Sequence, residues 1–551
     1  MLYSNHFGYI DRENKIAADE NCVYEWGSIS KMFTWVSVMQ LYEQGDLDLN
    51  ADIRTYLPGD FITKLAYEEP ITMLHLMNHN AGWQESVGLM VRNEEDIVPL
   101  EEALRNSEPA QIWKPGEVTA YSNWGAALAG YIVERVSGMD YADYLHENIL
   151  EPLGMEQTSV SADYRDREWV RTQREKEKAY LVLDKETMGV DADISLGTNM
   201  NYILLYPAGA VTGTLGDITK FAQAFVDDEC PLFEKQETLD LMLSASDFYG
   251  ESDIPRVCHG IFPMQYAVTA LAHDGSTLSG SANLTFDLES KVGVVVLTNQ
   301  YASGILYEIP KMIFGSIIDN PIAVNAEITT RNDISGNYIT SRSYIKGIGK
   351  ISGCLQRMAI ESTGNPDEFT SGGEPFMTRV GDDLYFTAGE DLLYETTMTD
   401  GTGVLALYAA DYIQNDAAGI EFASILLFAV IAAVTVVMLI TKGIMKLIRK
   451  YKAIPAGKAI LAGQLARAAI FLILPFLLVI SLLPRTFLVI FALAAGTGAV
   501  VCAISAGFTA KALVTESEMK RFTRVRYALS VLCELFVVGF VLYFQLFNFW
   551  T

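Results

Sequence analysis

The chain ends in four apolar runs, and these constrain its architecture more than any other feature of its 551 residues. The first, 422–441, carries no charge and is long enough to cross a hydrocarbon core as a helix. The second covers about 459–483, with Arg467 near its start and Pro475 inside. The third is 486–510, and the fourth, about 527–550, contains Glu534. Only Pro484 and Arg485 join the second run to the third, so those two form a tight hairpin. Residues 420–551 are therefore predicted to be four transmembrane helices. The charge divides at the same place. After Gly419 there are thirteen Lys or Arg against four Asp or Glu, a charge of +9, which leaves -37 of the total -28 on residues 1–419. An acidic body on a basic, apolar tail is the pattern of a soluble domain on a membrane anchor.

The loops predict an orientation. Lys442, Lys446, Arg449, Lys450, Lys452 and Lys458 follow the first run without an intervening acid, and Lys511, Lys520, Arg521, Arg524 and Arg526 precede the fourth. Both loops are expected on the cytoplasmic side under the positive-inside tendency. The chain is then a multi-pass protein of the cell membrane, with its body extracytoplasmic. Met1–Ile10 has neither a basic start nor an apolar stretch, so it does not read as a signal peptide. The expectation is that the true start lies upstream. The acidic body argues against a nucleic-acid partner, because phosphate binding needs a positive field. Six cysteines form no CxxC pair and give no readable disulfide framework.

The body reads as α+β. His6–Asp11 and Ile16–Tyr24 are strand-like, separated by a polar turn. From Ser28 a run containing Met32, Phe33, Trp35, Val36, Val38, Met39 and Leu41 is apolar on every side, which predicts a buried helix with Gly45 as its C-cap. Helical and loop segments follow to about Arg171, and strands return at 260–269, 282–287 and 291–299. One antiparallel sheet drawn from both ends of a domain 1–320 is expected, beside a helical region. Residues 328–412 alternate short β-rich pieces with turns and predict a small β-rich domain, a spacer or lid without a chemical motif.

Ser28-Ile29-Ser30-Lys31 has the form Ser-x-x-Lys. At the start of a helix, residues three apart share a face, so the Lys31 amine can reach the Ser28 hydroxyl. A neutral lysine can take the proton of a serine nucleophile. The pattern recurs at Ser343–Lys346 and Ser517–Lys520, but only Ser28 heads a buried helix. Tyr121-Ser122-Asn123 follows, offering a phenol to shuttle a proton and an amide to hold a carbonyl. His273-Asp274-Gly275 stands just before the strand-rich close, where glycine allows a backbone to come close to a substrate. His75 and His79 are four apart, but no Glu completes an HExxH pattern, and no metal site is predicted.

These three elements, in this order, resemble the serine β-lactamase and penicillin-binding-protein superfamily, and most closely its class C β-lactamase-related branch. The segments Tyr24–Lys31, Leu74–Trp83, Ile149–Met155 and Pro207–Gly209 followed by Gly216-Asp217 are similar too, so that the resemblance covers about 5–315. It implies a β-lactamase/transpeptidase-like fold and hydrolysis of amides or esters through an acyl-enzyme, possible substrates being cell-wall-type or D-amino-acid peptides. Ser28 is then the nucleophile, and Lys31 and Tyr121 share the acid and base work. Asn123, His273, Gly275 and Ser276 would bind the substrate, with the main-chain N–H groups of Ser28 and Ser276 forming the oxyanion hole. The implied partners are a small-molecule or peptide substrate and the lipid bilayer. No metal or organic cofactor is implied. One departure stands out. The family carries Lys-Thr-Gly or a close variant where this chain has His273-Asp274-Gly275, so the permanent positive charge for a substrate carboxylate is missing. The second functional class left open is a non-catalytic sensor of peptidoglycan fragments or β-lactams.

Overall fold

A computed structural model describes residues 2–183, 192–198, 200–301, 303–324, 327–447, 457–473, 476 and 485–548. Contacts divide them into two units, 1–335 with 360–413, and 336–359 with 414–551.

In the first unit the helix predicted from Ser28 forms as Ser30–Gln44, preceded by a 3-10 turn at Gly27–Ile29. Every residue from Ser30 to Leu41 is buried, which is why its apolar side chains face all directions rather than one stripe. Gly45 ends it at φ 84°, a left-handed conformation that glycine adopts without a Cβ penalty, and its N–H bonds the Leu41 carbonyl. Trp26, Phe33 and Trp35 of this segment join Trp83, Trp124 and Phe221 in one large core. Phe33 stacks on Phe221 with ring centroids 4.0 Å apart. A second long helix, Asn123–Ser137, packs beside the first.

The main sheet has four antiparallel strands in chain order: Phe262–Gln265, Thr269–Thr277, Gly280–Asp287 and Val292–Thr298. Strands from the two ends of the domain are neighbours but not one continuous ladder. Tyr9–Asp11 pairs with Ile16–Ala17 as a separate hairpin, and Val23–Glu25 pairs with Thr212–Thr214. Lys178 N–H donating to the Ile10 carbonyl, and Asn299 Nδ2 donating to the Tyr9 carbonyl, tie the first hairpin to the later chain. Beneath the Val23–Glu25 strand, Arg174 and Glu25 form a fully buried ion pair at 2.7 Å. Removing one partner of such a pair strands a charge, at about 3–5 kcal/mol.

The β-rich region closes into a barrel of eight strands, running from Gly336–Thr340 to Asp411–Gln414. Closure removes the exposed edges that short strands would otherwise present. Its strands from 360 to 413 cluster with the body of the chain rather than standing apart from it.

Among the described residues of the second unit, three helices are long and apolar enough to cross a membrane: Ala418–Thr441, Phe487–Thr515 and Arg521–Tyr543. The sequence predicts four spans. The helix of the second run, Gly457–Ile473, is 17 residues long, and apart from Phe476 the rest of that run, with Pro484, lies outside the described residues. Arg449, Lys450 and Lys452 of the first basic loop lie outside them too. The charges inside the apolar runs face each other: Arg467 Nη1 is 3.7 Å from Glu534 Oε1, both buried. Ser505 Oγ donates to the same carboxylate oxygen at 2.8 Å. Gly463 makes room for it, since a Cβ there would lie 2.3 Å from Glu534 Oε1. Pairing and hydrogen bonding are how such charges are tolerated away from water.

Candidate active site

The 3-10 turn at Gly27–Ile29 is held by a strap from the middle of the chain. Trp26 N–H donates to the Val211 carbonyl at 2.9 Å, and Val211 N–H donates to Ser30 Oγ at 3.0 Å. Ser30 Oγ donates in turn to the Gly27 carbonyl at 2.6 Å. Thr34 Oγ1 donates to the Pro207 carbonyl at 3.0 Å. The strap brings the Ala208 carbonyl to Lys31.

Lys31 is wholly buried, and its Nζ donates to three oxygens: Ser28 Oγ at 3.0 Å, Asn123 Oδ1 at 2.8 Å and the Ala208 carbonyl at 2.7 Å. Burying an amine without such partners would cost several kcal/mol, so the set of acceptors is what holds it here. Asn123 opens its helix immediately after the N-cap Ser122, whose Oγ accepts from Gly125 N–H at 2.9 Å. The Lys31 ammonium position lies 4.7 Å from the centre of the Tyr121 ring. Tyr121 in turn packs on His79 at 4.3 Å and on His273 at 6.3 Å between ring centroids.

The strand Thr269–Thr277 closes the other side. A Cβ on Gly275 would lie 2.0 Å from the Trp26 carbonyl oxygen and 2.7 Å from Ser28 N. Conversely, a Cβ on Gly27, whose φ is +53°, would lie 2.7 Å from Ser276 N. Two glycines facing each other thus let the Ser28 and Ser276 amides share one small region. Ser28 is half-buried and Ser276 exposed at this point, so a substrate can approach.

His273 is buried, and burial, aided by the nearby Lys31 charge, pulls its pKa down to about 4. Its Nδ1 sits 2.7 Å from the Asp274 carbonyl oxygen, which makes Nδ1 the donor and leaves Nε2 as the acceptor. Nε2 has no hydrogen-bond partner among the described residues. The Asp274 carboxylate points to Tyr307, whose hydroxyl donates to it at 2.8 Å.

All seven residues singled out in the sequence therefore meet: Ser28, Lys31, Asn123, Tyr121, His273, Gly275 and Ser276. Four contributions were not foreseen. The Ala208 carbonyl has no side-chain signature, although Pro207-Ala208-Gly209 belongs to the family pattern. His79 supports the Tyr121 segment, its carbonyl accepting from Ala120 N–H at 2.8 Å and its Nδ1 from Ser122 N–H at 3.3 Å. It has φ +54° and follows the short helix Met73–Met77, while His75 serves that helix as part of a capping box with Thr72. The third and fourth come from the barrel: Tyr408, whose ring lies 5.4 Å from that of Phe262, and Ala409, whose carbonyl accepts from Tyr121 N–H at 3.0 Å.

A Ser and a Lys on one helical turn, a Tyr and an Asn at the start of a second helix, and a strand edge at the serine thus stand together. The Beta-lactamase family model matches residues 1–304, more than half of the chain, and the chain belongs to that family. It is 30% identical over 244 residues to Penicillin-binding protein 4* of Bacillus subtilis (strain 168), across 42% of this chain and 50% of that protein. It is 24% identical over 328 residues to a Beta-lactamase of Yersinia enterocolitica, across 54% of this chain and 78% of that one. The chain spans about half the length of the first curated relatives it matches. Among solved structures, the octameric penicillin-binding protein homologue from Pyrococcus abyssi is similar at 21% identity and a TM-score of 0.46, over 75% of this chain and 93% of that one.

Proposed function

We propose that this chain is a membrane-anchored serine hydrolase that works through an acyl-enzyme on amide or ester substrates. Its parts are a hydrolase domain over 1–320, a β-rich domain over 328–412 and a multi-pass tail over 420–551, with the hydrolase domain extracytoplasmic. The observation that carries this reading is the single Lys31 amine bonded to both Ser28 Oγ and Asn123 Oδ1. In its neutral form Lys31 keeps its two N–H groups on Asn123 and Ala208 and turns its lone pair to Ser28, taking the hydroxyl proton as Ser28 attacks the substrate carbonyl. The Ser28 and Ser276 N–H groups bind the oxygen as it becomes negative, Tyr121 passes a proton to the leaving group, and Asn123 orients the substrate. Water then releases the acid and restores Ser28. A buried, neutral His273 offers no charge to a carboxylate. Substrates without a carboxylate therefore fit better than penicillin-type acids.

The test is a fluorophosphonate probe on the full-length protein in detergent. Ser28 is expected to be the labelled residue, and Ser28→Ala to abolish both labelling and hydrolysis of short esters and amides. Labelling that survives Ser28→Ala removes the assignment. With the esters and amides themselves, an acyl adduct on Ser28 that never turns over points instead to a sensor.

His273 supplies a pH prediction. With its pKa near 4, it is neutral throughout pH 5–8. The kcat/KM profiles of the wild type and of His273→Gln should have the same shape across that range, whatever their heights. A limb near pH 6.5 that disappears in His273→Gln contradicts this account.

A further inference from the structure

Tyr121 can shuttle a proton only if its main chain is held, and much of what holds it comes from the barrel. Ala120 and Ala410 form an isolated antiparallel bridge. Around it, Tyr121 N–H donates to the Ala409 carbonyl at 3.0 Å and Asp411 N–H to the Thr119 carbonyl at 2.9 Å. Thr119 N–H donates to Asp411 Oδ2 at 2.8 Å. The segment 119–121 thus gains a short strand partner nearly 300 residues away in sequence. Asp411 is itself clamped. Its Oδ1 pairs with Arg256 Nη2 at 2.5 Å, both side chains are almost wholly buried, and Arg256 also donates to the Leu407 carbonyl through Nε at 3.1 Å and Nη2 at 2.5 Å. Arg256 precedes the sheet strand Phe262–Gln265, and Phe262 packs on the rings of Tyr408, His79 and His273. One buried ion pair therefore locks the barrel turn Leu407–Ala410 against the segment that carries the phenol.

We propose that Asp411 is a positioning residue for Tyr121, and that the barrel completes the active site through it rather than serving as a spacer. Resting on the acyl-transfer reading above, this names what sets the proton-transfer geometry of that site. Asp411 touches no substrate. It acts through the 119–121 main chain, and a small misplacement of a proton-transfer group is enough to slow a reaction.

Leaving groups separate this role from a purely structural one. An anilide or amide cannot depart without a proton, whereas p-nitrophenolate and fluoride leave as anions. Asp411→Asn keeps an acceptor for Thr119 N–H but loses the charge that fixes Arg256. We expect its kcat on an amide or anilide to fall about 30-fold or more, within the range that acid–base catalysis supplies. Its kcat on a matched p-nitrophenyl ester and its rate of fluorophosphonate labelling should stay within about 3-fold of wild type. Equal loss on all three, or no loss on the amide, overturns the proposal. Should Asp411→Asn not label because it does not fold, Asp411→Glu takes its place under the same criterion, keeping the charge while moving the carboxylate by one methylene. If the wild type itself does not label at Ser28, it is the acyl-transfer reading that fails.

Discussion

Lys31→Met lowers kcat by at least about 10³-fold, equivalent to about 4 kcal/mol of barrier, while KM changes little. Methionine nearly matches the volume of the lysine stem and adds no polar atom, so the buried helix Ser30–Gln44 keeps its packing. What disappears is one nitrogen with three jobs. It is within hydrogen-bond distance of the serine it would deprotonate, it holds the Asn123 carbonyl in place, and it satisfies the Ala208 carbonyl of the strap. A serine hydroxyl without a base attacks slowly at neutral pH. The loss belongs to the chemical step because Lys31 is wholly buried, bonded to Ser28 and Asn123 rather than open to a substrate. Three stranded oxygens also cost stability, about 1–3 kcal/mol for each that stays dry. The test therefore pairs single-turnover acylation with a melting curve. Acylation within tenfold of wild type, in a protein that melts as a folded one, would mean that another group takes the proton.

How far the site could be read from the amino acids follows from how local each contact is. Ser28 and Lys31 are three residues apart on one helical turn, so their meeting depends on local geometry alone. Tyr121 and Asn123 flank the N-capping Ser122 of a helix, and His273 and Gly275 lie on a strand; type and spacing mark all four once the family pattern is seen. The Ala208 carbonyl is a main-chain atom, and any residue could supply it. The barrel's contribution was invisible for another reason. Thr119 and Asp411 are 292 residues apart and meet only through the tertiary fold, and neither residue belongs to a motif. The β-rich region was legible as short strands between turns, but barrel closure depends on which strand pairs with which, and alternation does not encode that. In the tail, length and apolarity agree with three of the four predicted runs among the described residues, and Arg467 and Glu534 stood out as charges in apolar runs. That they face each other depends on helix packing rather than on either run.

Gly275→Ala should cost about 10²-fold or more in kcat, although it adds a single methyl group. The position has no room for it: the new carbon would overlap the Trp26 carbonyl oxygen at 2.0 Å and crowd Ser28 N at 2.7 Å. Both are main-chain atoms of the nucleophile turn, and that turn is braced by the strap through Trp26 and Ser30, so neither can swing aside as a flexible side chain would. The strand must move away from the serine and take Ser276 N–H with it. Removing one oxyanion donor costs about 10²–10³ in kcat, and here the donor would be displaced rather than deleted. Gly293→Ala is the matched control, because it lies in the same sheet and its added carbon would meet nothing closer than Phe286 Cβ at 3.9 Å. Gly293→Ala should keep its activity. If Gly275→Ala keeps it too, the two facing glycines are not what brings the Ser28 and Ser276 amides to one carbonyl oxygen, and the oxyanion hole must be sought elsewhere.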